Sequence, residues 1–297
     1  MALFKKKAAP AVEEPMDLDA VMKKYDRESN IRIWTGVPKM VVAAVLIAFS
    51  VFCIYVTLFG NLLEQVRLTS FVGLIVLTGF LVFPHKKGLE RKNYMPWFDV
   101  VAMVLGSGAY FYYTFNAMDI ITRASNITMV EMIIGIIGIL ALAEICRRSV
   151  GVPILIVAGF FVAYALFTGF NLKFTVYKLF FADTGILTTP INVCSKYIVV
   201  FVIFGAFLER TGISNFFIKL ANSVAGSSAG GPAKVAVLSS ALCGMVSGSS
   251  VGNTVTTGSV TIPMMKDTGY KPEFAGAVEA AASTGGQIMP PIMGAAA

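Results

Sequence analysis

Charged residues are scarce in this chain: Asp, Glu, Lys and Arg make up 14% of it, against about 25% in soluble domains. That deficit excludes both a compact water-soluble enzyme and a highly charged disordered chain. Histidine occurs once, at His85, and the four cysteines, Cys53, Cys146, Cys194 and Cys243, are far apart with no CxxC pair. This argues against a zinc site and a disulfide framework, and leaves each cysteine as a small buried hydrophobe. No His/Asp pair, metal-ligand cluster or serine with a nearby base stands out, so an intramembrane enzyme is disfavoured. No GxxxxGK[ST] loop occurs, so the chain is not expected to hydrolyse ATP. In place of charge there is apolar surface: 56% of residues are hydrophobic and the mean hydropathy is +0.75. The chain therefore belongs in a bilayer. Its formal charge of +7 reads as loop bias toward the cytoplasm. No basic cluster interleaved with aromatics points to nucleic acid.

The first 37 residues are polar and of mixed charge, without the apolar core of a secretory leader, and read as a cytoplasmic tail. The run 38–60 (PKMVVAAVLIAFSVFCIYVTLFG) supplies the roughly 20 apolar residues that cross about 30 Å of hydrocarbon. Similar runs at 68–84, 97–115, 127–146 and 150–170 predict further spans. Lys and Arg alternate between crowded and sparse connections. Lys23, Lys24, Arg27, Arg32 and Lys39 precede the first span, Arg67 follows it, then come Lys86, Lys87, Arg91 and Lys92, then Arg123, then Arg147 and Arg148. The positive-inside rule puts the N-terminus in the cytoplasm and returns the chain there after four spans. Trp34 and Trp97 sit at span ends, where interfacial aromatics are expected. Segment 171–182 mixes apolar residues with Lys173 and Lys178 at helical spacing and predicts a helix in the interface. A sixth apolar run, 196–208, and an amphipathic piece, 213–225, precede a Gly/Ser turn at 226–231.

The stretch 244–263, GMVSGSSVGNTVTTGSVTIP, is too polar and glycine-rich to face lipid. It predicts a helix that breaks at Ser247-Gly248-Ser249-Ser250 and returns through unwound backbone at 253–259, buried in protein or lining a cavity. A second interruption follows the small-residue helix 275–282, at Ser283-Thr284-Gly285-Gly286-Gln287-Ile288-Met289-Pro290-Pro291. Two breaks can aim carbonyls and hydroxyls at one point, which suits a hard monovalent cation, since carboxylates are too few for a divalent one. Helix N-termini beside the breaks make a carboxylate-bearing substrate plausible.

At these residues the chain resembles a known family. Glu209-Arg210-Thr211-Gly212-Ile213-Ser214, the Ser247-Gly248-Ser249 turn, 258–263 (GSVTIP), 266–270 (KDTGY) and 286–291 look like the large permease subunit of tripartite ATP-independent periplasmic (TRAP) transporters. The four preceding spans look like the small membrane subunit fused in front, as in permeases served by TAXI-type binding proteins. The resemblance implies an all-α integral membrane protein: a tail (1–37), a four-span scaffold (38–148) and the first part of an elevator-type transport domain with a re-entrant hairpin (149–297). It further implies sodium-coupled uptake of a small organic acid received from a periplasmic solute-binding protein, with no cofactor beyond the coupling ion. By position, the first sodium site falls on Ser247, Ser249, Gly286, Met289 and Pro291. Ser250, Asn253, Thr254, Glu279 and Gln287 are candidate substrate-binding residues. Ile292 stands where the family commonly has Ser, and Val251-Gly252-Asn253-Thr254 where it has alanines, which bears on the solute more than on the ion. The family continues through a second, inverted repeat, so these residues are expected to be a fragment that does not transport alone.

Each feature also has a simpler reading. Residues 247–253 can serve close helix packing, and 285–291 can be a kinked helix. Glu279, inside an apolar helix, is a functional suspect but can also be paired or wet. Glu131 and Glu144 are weaker suspects, the latter one turn from Arg147 and Arg148. Asp99 and Asp119 are expected at the interface, Glu209-Arg210 at a helix end, and His85 in solvent. A channel with a filter-like hairpin and a purely structural membrane protein are the rival classes.

Overall fold

The computed structural model describes residues 31–85, 92–123 and 126–290, so most of the predicted tail lies outside the described residues. Among the described residues every regular element is helical. Helix α1 (Val37–Phe59) carries Pro38 in its first turn and stops at Gly60. Then come α2 (Glu64–Val82), α3 (Trp97–Phe115), the short α4 (Ala117–Arg123) and α5 (Met129–Ser149). Helix α5 opens with a capping box: Thr128 Oγ1 accepts from the Glu131 amide and Glu131 accepts from the Thr128 amide at 2.6 Å. With Arg123 2.9 Å away, Glu131 is accounted for as a helix-start group.

The second half contains α6 (Val152–Phe167), α7 (Leu172–Val176), α8 (Thr189–Val193), α9 (Val199–Arg210), α10 (Ile213–Ala225), α11 (Gly231–Ser247), α12 (Ser250–Asp267) and α13 (Pro272–Thr284). Wide π turns extend α7 through Phe181 and join α8 to α9. Among the described residues, four stretches are long and apolar enough to cross a membrane: α1, α2, α5 and Thr189–Leu208. The last begins earlier than the predicted 196–208, because Thr189-Pro190 starts the helix and the π turn carries it on. Helix α3 matches the predicted span, but its Ser107, Tyr110 and Tyr113 make it less apolar; these face protein and are buried. Helix α6 is shorter than predicted, ending at a turn where Gly169 has φ +98°.

Helix α2 is the centre of the scaffold. Leu68, Val72, Val76 and Phe80 form one core with Tyr110, Tyr113, Ala141 and Ile145 of α3 and α5, whereas α1 is mostly open to lipid. Segment 171–182, predicted as an interfacial helix, packs one face on the scaffold and leaves Lys173 and Lys178 exposed. Phe180 and Phe181 join this scaffold core, and Val176 and Phe180 lie against Gly135 and Gly138 of α5, where no side chain has room. Small residues that admit close approach drive such contacts inside a membrane.

One end of the scaffold is held by charge. Asp99, expected at the interface, is wholly buried between Arg32 and Arg148, with Arg148 Nη2 at 2.6 Å. Glu144 pairs with Arg147 and Arg148, each at 2.8 Å, as its spacing suggests. His85, expected in solvent, is partly covered: it meets Arg147 at 3.2 Å and lies edge-on to Phe98. The start of α3 and the ends of α2 and α5 thus converge, as alternating spans require. Asp119 is exposed.

Removing one partner of a buried ion pair leaves the others uncompensated. Asp99→Asn is expected to lower the unfolding free energy in detergent by about 3–5 kcal/mol. Asp119→Asn should stay within about 0.5 kcal/mol of the parent. Equal thermal midpoints for the two variants would show that the cluster does not hold the scaffold.

Candidate functional site

The hairpin α11–α12 is made by two residues. Gly248 takes the left-handed conformation at φ +63°, which costs glycine nothing, and Ser249 is extended with its Oγ accepting the Gly252 amide at 3.1 Å. The break therefore falls where the sequence predicts it. At the tip, the last carbonyls of α11 lie beside the first amides of α12, a partial negative end next to a partial positive one.

The predicted unwinding through 253–259 does not occur. Helix α12 runs unbroken from Ser250 to Asp267, past Gly252, Gly258 and Pro263. Thr254, Thr256, Thr257 and Thr261 place their hydroxyls on carbonyls four residues back, at 2.8, 2.8, 2.8 and 3.0 Å. The polar run thus satisfies itself as a helix, and only the two-residue tip departs from helical geometry.

The second break is real and lies against the first. Helix α13 tightens after Thr284 into a 3-10 turn, Gly285–Gln287. A Cβ on Gly244 of α11 would come within 2.5 Å of Gly286 Cα, so glycine at both positions lets the two backbones touch. Gln287 Nε2 donates to Ser250 Oγ at 3.1 Å and makes a second clasp. Ser249, Ser250, Gly286 and Gln287 are thereby drawn into one region. Ser247 is exposed at the end of α11, Thr254 is half-buried one turn into α12, and Met289 is half-buried beyond the turn. Pro291 and the side chain of Glu209 lie outside what is described.

Behind this contact is an enclosed polar network that sequence motifs only partly indicate. Asn253 Nδ2 donates to Ser240 O and Oγ, both at 2.8 Å. A backbone carbonyl can only accept, so the amide orientation is determined. Asn253 Oδ1 is then left buried without a hydrogen-bond partner among the described residues. Ser240 meets Ser283 at 3.1 Å, and Ser283 meets Glu279, which also contacts Thr257 and Thr261. Asn253 and Glu279, two of the candidate substrate-binding residues, are enclosed in this arrangement. Ser240 belongs to no sequence motif; its signal is a Ser pair within an otherwise apolar helix.

The site offers neutral oxygens and backbone around a glycine contact, with the Asn253 amide nitrogen beside Gly286 and its Oδ1 buried without a partner among the described residues. Such a set fits a hard monovalent cation better than a transition metal, which would take imidazole or thiolate. Two helix C-termini, those of α11 and α13, and the N-terminus of α12 end there. Gly244→Ala is expected to force α11 from the turn and cost about 1–3 kcal/mol of unfolding free energy. Gly276→Ala on α13, with open space around its Cβ, is the control. A thermal midpoint for Gly244→Ala at or above that of the control would contradict the close contact.

Residues 137–297, more than half of the chain, match the family described as tripartite ATP-independent periplasmic transporter, DctM component. The "Uncharacterized protein YgiK" of Salmonella typhimurium is 31% identical over 91 residues, which cover 31% of this chain and 21% of that relative's length. No solved structure matches. With its two apposed helix breaks lying inside the matched region, the chain belongs to the DctM component family of TRAP transporters.

Proposed function

We propose that the chain works in a permease that imports a small carboxylate-bearing solute with sodium, the solute being handed over by a periplasmic binding protein of TAXI type. The observation that carries this reading is the apposition of the hairpin tip to the Gly285–Gln287 turn through Gly244 and Gly286. Two helix C-termini supply partial negative charge and free carbonyls for the cation, and the α12 N-terminus supplies amides for a carboxylate. Ser247, Ser249, Gly286, Met289 and Pro291 are the proposed sodium ligands.

In this reading the bacterial inner membrane holds the protein with its N-terminus in the cytoplasm, as the alternation of Lys and Arg suggests. The four-span domain, 38–148, is the fixed scaffold, tied by Asp99 and its two arginines. The hairpin and α13 belong to the part that moves past it, with 149–297 as the proposed transport domain.

The test has two readouts. Sodium, but not potassium, is expected to raise the thermal midpoint of the purified chain, by about 2.7 kcal/mol of stabilisation at a hundredfold excess over its dissociation constant. The permease containing this chain, reconstituted with its binding protein, should take up solute only with an inward sodium gradient. Ser249→Ala should raise the sodium concentration for half-maximal effect by about tenfold, equivalent to 1.4 kcal/mol. Uptake independent of sodium would remove the mechanism, and flux without the binding protein would favour a channel.

A further inference from the structure

Glu279, in the middle of α13, has no exposure to solvent. Among the described residues its carboxylate hydrogen-bonds hydroxyls alone: Thr257 Oγ1 and Ser283 Oγ at Oε1, the latter at 3.0 Å, and Thr261 Oγ1 at Oε2, at 2.5 Å. Among the described residues no Lys, Arg or His forms an ion pair with it. An ionised carboxylate enclosed without a counter-charge is costly and, inside a membrane, is retained for a reason.

Counting protons shows what this enclosure does. Each hydroxyl has one proton and two lone pairs, and each of the three has a second partner in reach. Thr257 Oγ1 is 2.8 Å from Asn253 O, Thr261 Oγ1 is 3.0 Å from Thr257 O, and Ser283 Oγ is 3.1 Å from Ser240 Oγ. With Glu279 ionised, all three protons turn to the carboxylate. With Glu279 protonated, Thr261 turns its proton back to the Thr257 carbonyl and accepts the acid's own proton from Oε2, while Thr257 and Ser283 go on donating to Oε1. Both states are satisfied without moving a heavy atom. Backbone amides or an arginine could not do this, since they only donate.

The carboxyl and hydroxyl oxygens touch directly, with no alkali ion's width between them. Thr257 and Thr261 are on α12, Ser283 is on α13 itself, and Ser240 is on α11. Gly258 keeps the space: a Cβ there would lie 3.0 Å from Glu279 Cγ. Of the titratable groups on the surrounding elements, Cys243 of α11 is close enough to be felt by Glu279. Lys234 at the start of α11, Lys266 and Asp267 at the end of α12, and Lys271 and Glu273 at the start of α13 are exposed.

The geometry points to Glu279 as a proton-carrying site of the hairpin bundle. The carboxylate takes a proton while α12 and α13 are docked and releases it to water when they part, so that a proton accompanies solute and sodium. The site rests on the transport reading above for its role, but not for its chemistry.

In the purified chain, infrared difference spectra across an acid-to-alkaline titration are expected to contain a protonated-carboxyl band. It should vanish in Glu279→Gln and shift in Thr261→Val, which removes one hydroxyl and keeps the acid. If no such band responds to pH, or if it survives in Glu279→Gln, the proposal is overturned, whether or not the permease transports. In proteoliposomes holding a pH-sensitive dye, the permease containing this chain should acidify the lumen during uptake. Glu279→Gln should lose that acidification per solute, and Glu279→Asp should keep it with a displaced pH optimum. Acidification per solute unchanged in Glu279→Gln would equally overturn it. Should Glu279→Gln fail to fold, the band shifts in Thr261→Val and Glu279→Asp decide the matter.

Discussion

A backbone amide or carbonyl at lipid depth has to find its partner inside the protein, and the second half of this chain is arranged around that constraint. Helix α11 stops, α12 starts and α13 tightens within one small volume, and the two breaks cover each other where Gly244 meets Gly286 and Gln287 donates to Ser250. Gly244 and Gly286 make the cover possible, because a Cβ on either would sit 2.5 or 3.2 Å from the other's Cα. The same contact brings free carbonyls to one point.

The first half solves a different problem. Apolar contact between helices is a weak glue among lipid tails as apolar as leucine. The scaffold therefore combines small-residue contacts, such as Phe180 on Gly138, with a buried charge cluster at one end. The segment 171–182, which mixes apolar residues with two lysines, packs its phenylalanines into this frame.

Much of the architecture was legible in the sequence. The bounds of α3 and α10 coincide with the apolar run 97–115 and the amphipathic run 213–225, because lipid thickness and helical periodicity impose clear patterns. The hairpin break at Ser247-Gly248-Ser249-Ser250 was legible because Gly and Ser have distinct turn chemistry. The run 253–259 misled, since threonine hydroxyls that bond back to their own helix look in one dimension like unwound polar backbone. Asp99 could not be placed, because its arginines are 67 and 49 residues away. Glu279 was marked as a suspect by its apolar surroundings, but the hydroxyls that enclose it come partly from another helix, and periodicity carries no such information.

The most direct measurement is a high-resolution density map of the permease containing this chain, determined once in sodium and once in choline. The account predicts density for an ion between the Gly248 tip and the Gly285–Gln287 turn in sodium alone, with Gly244 and Gly286 in contact. Identical maps with no ion there, or a straight helix running through residues 284–288, would contradict it.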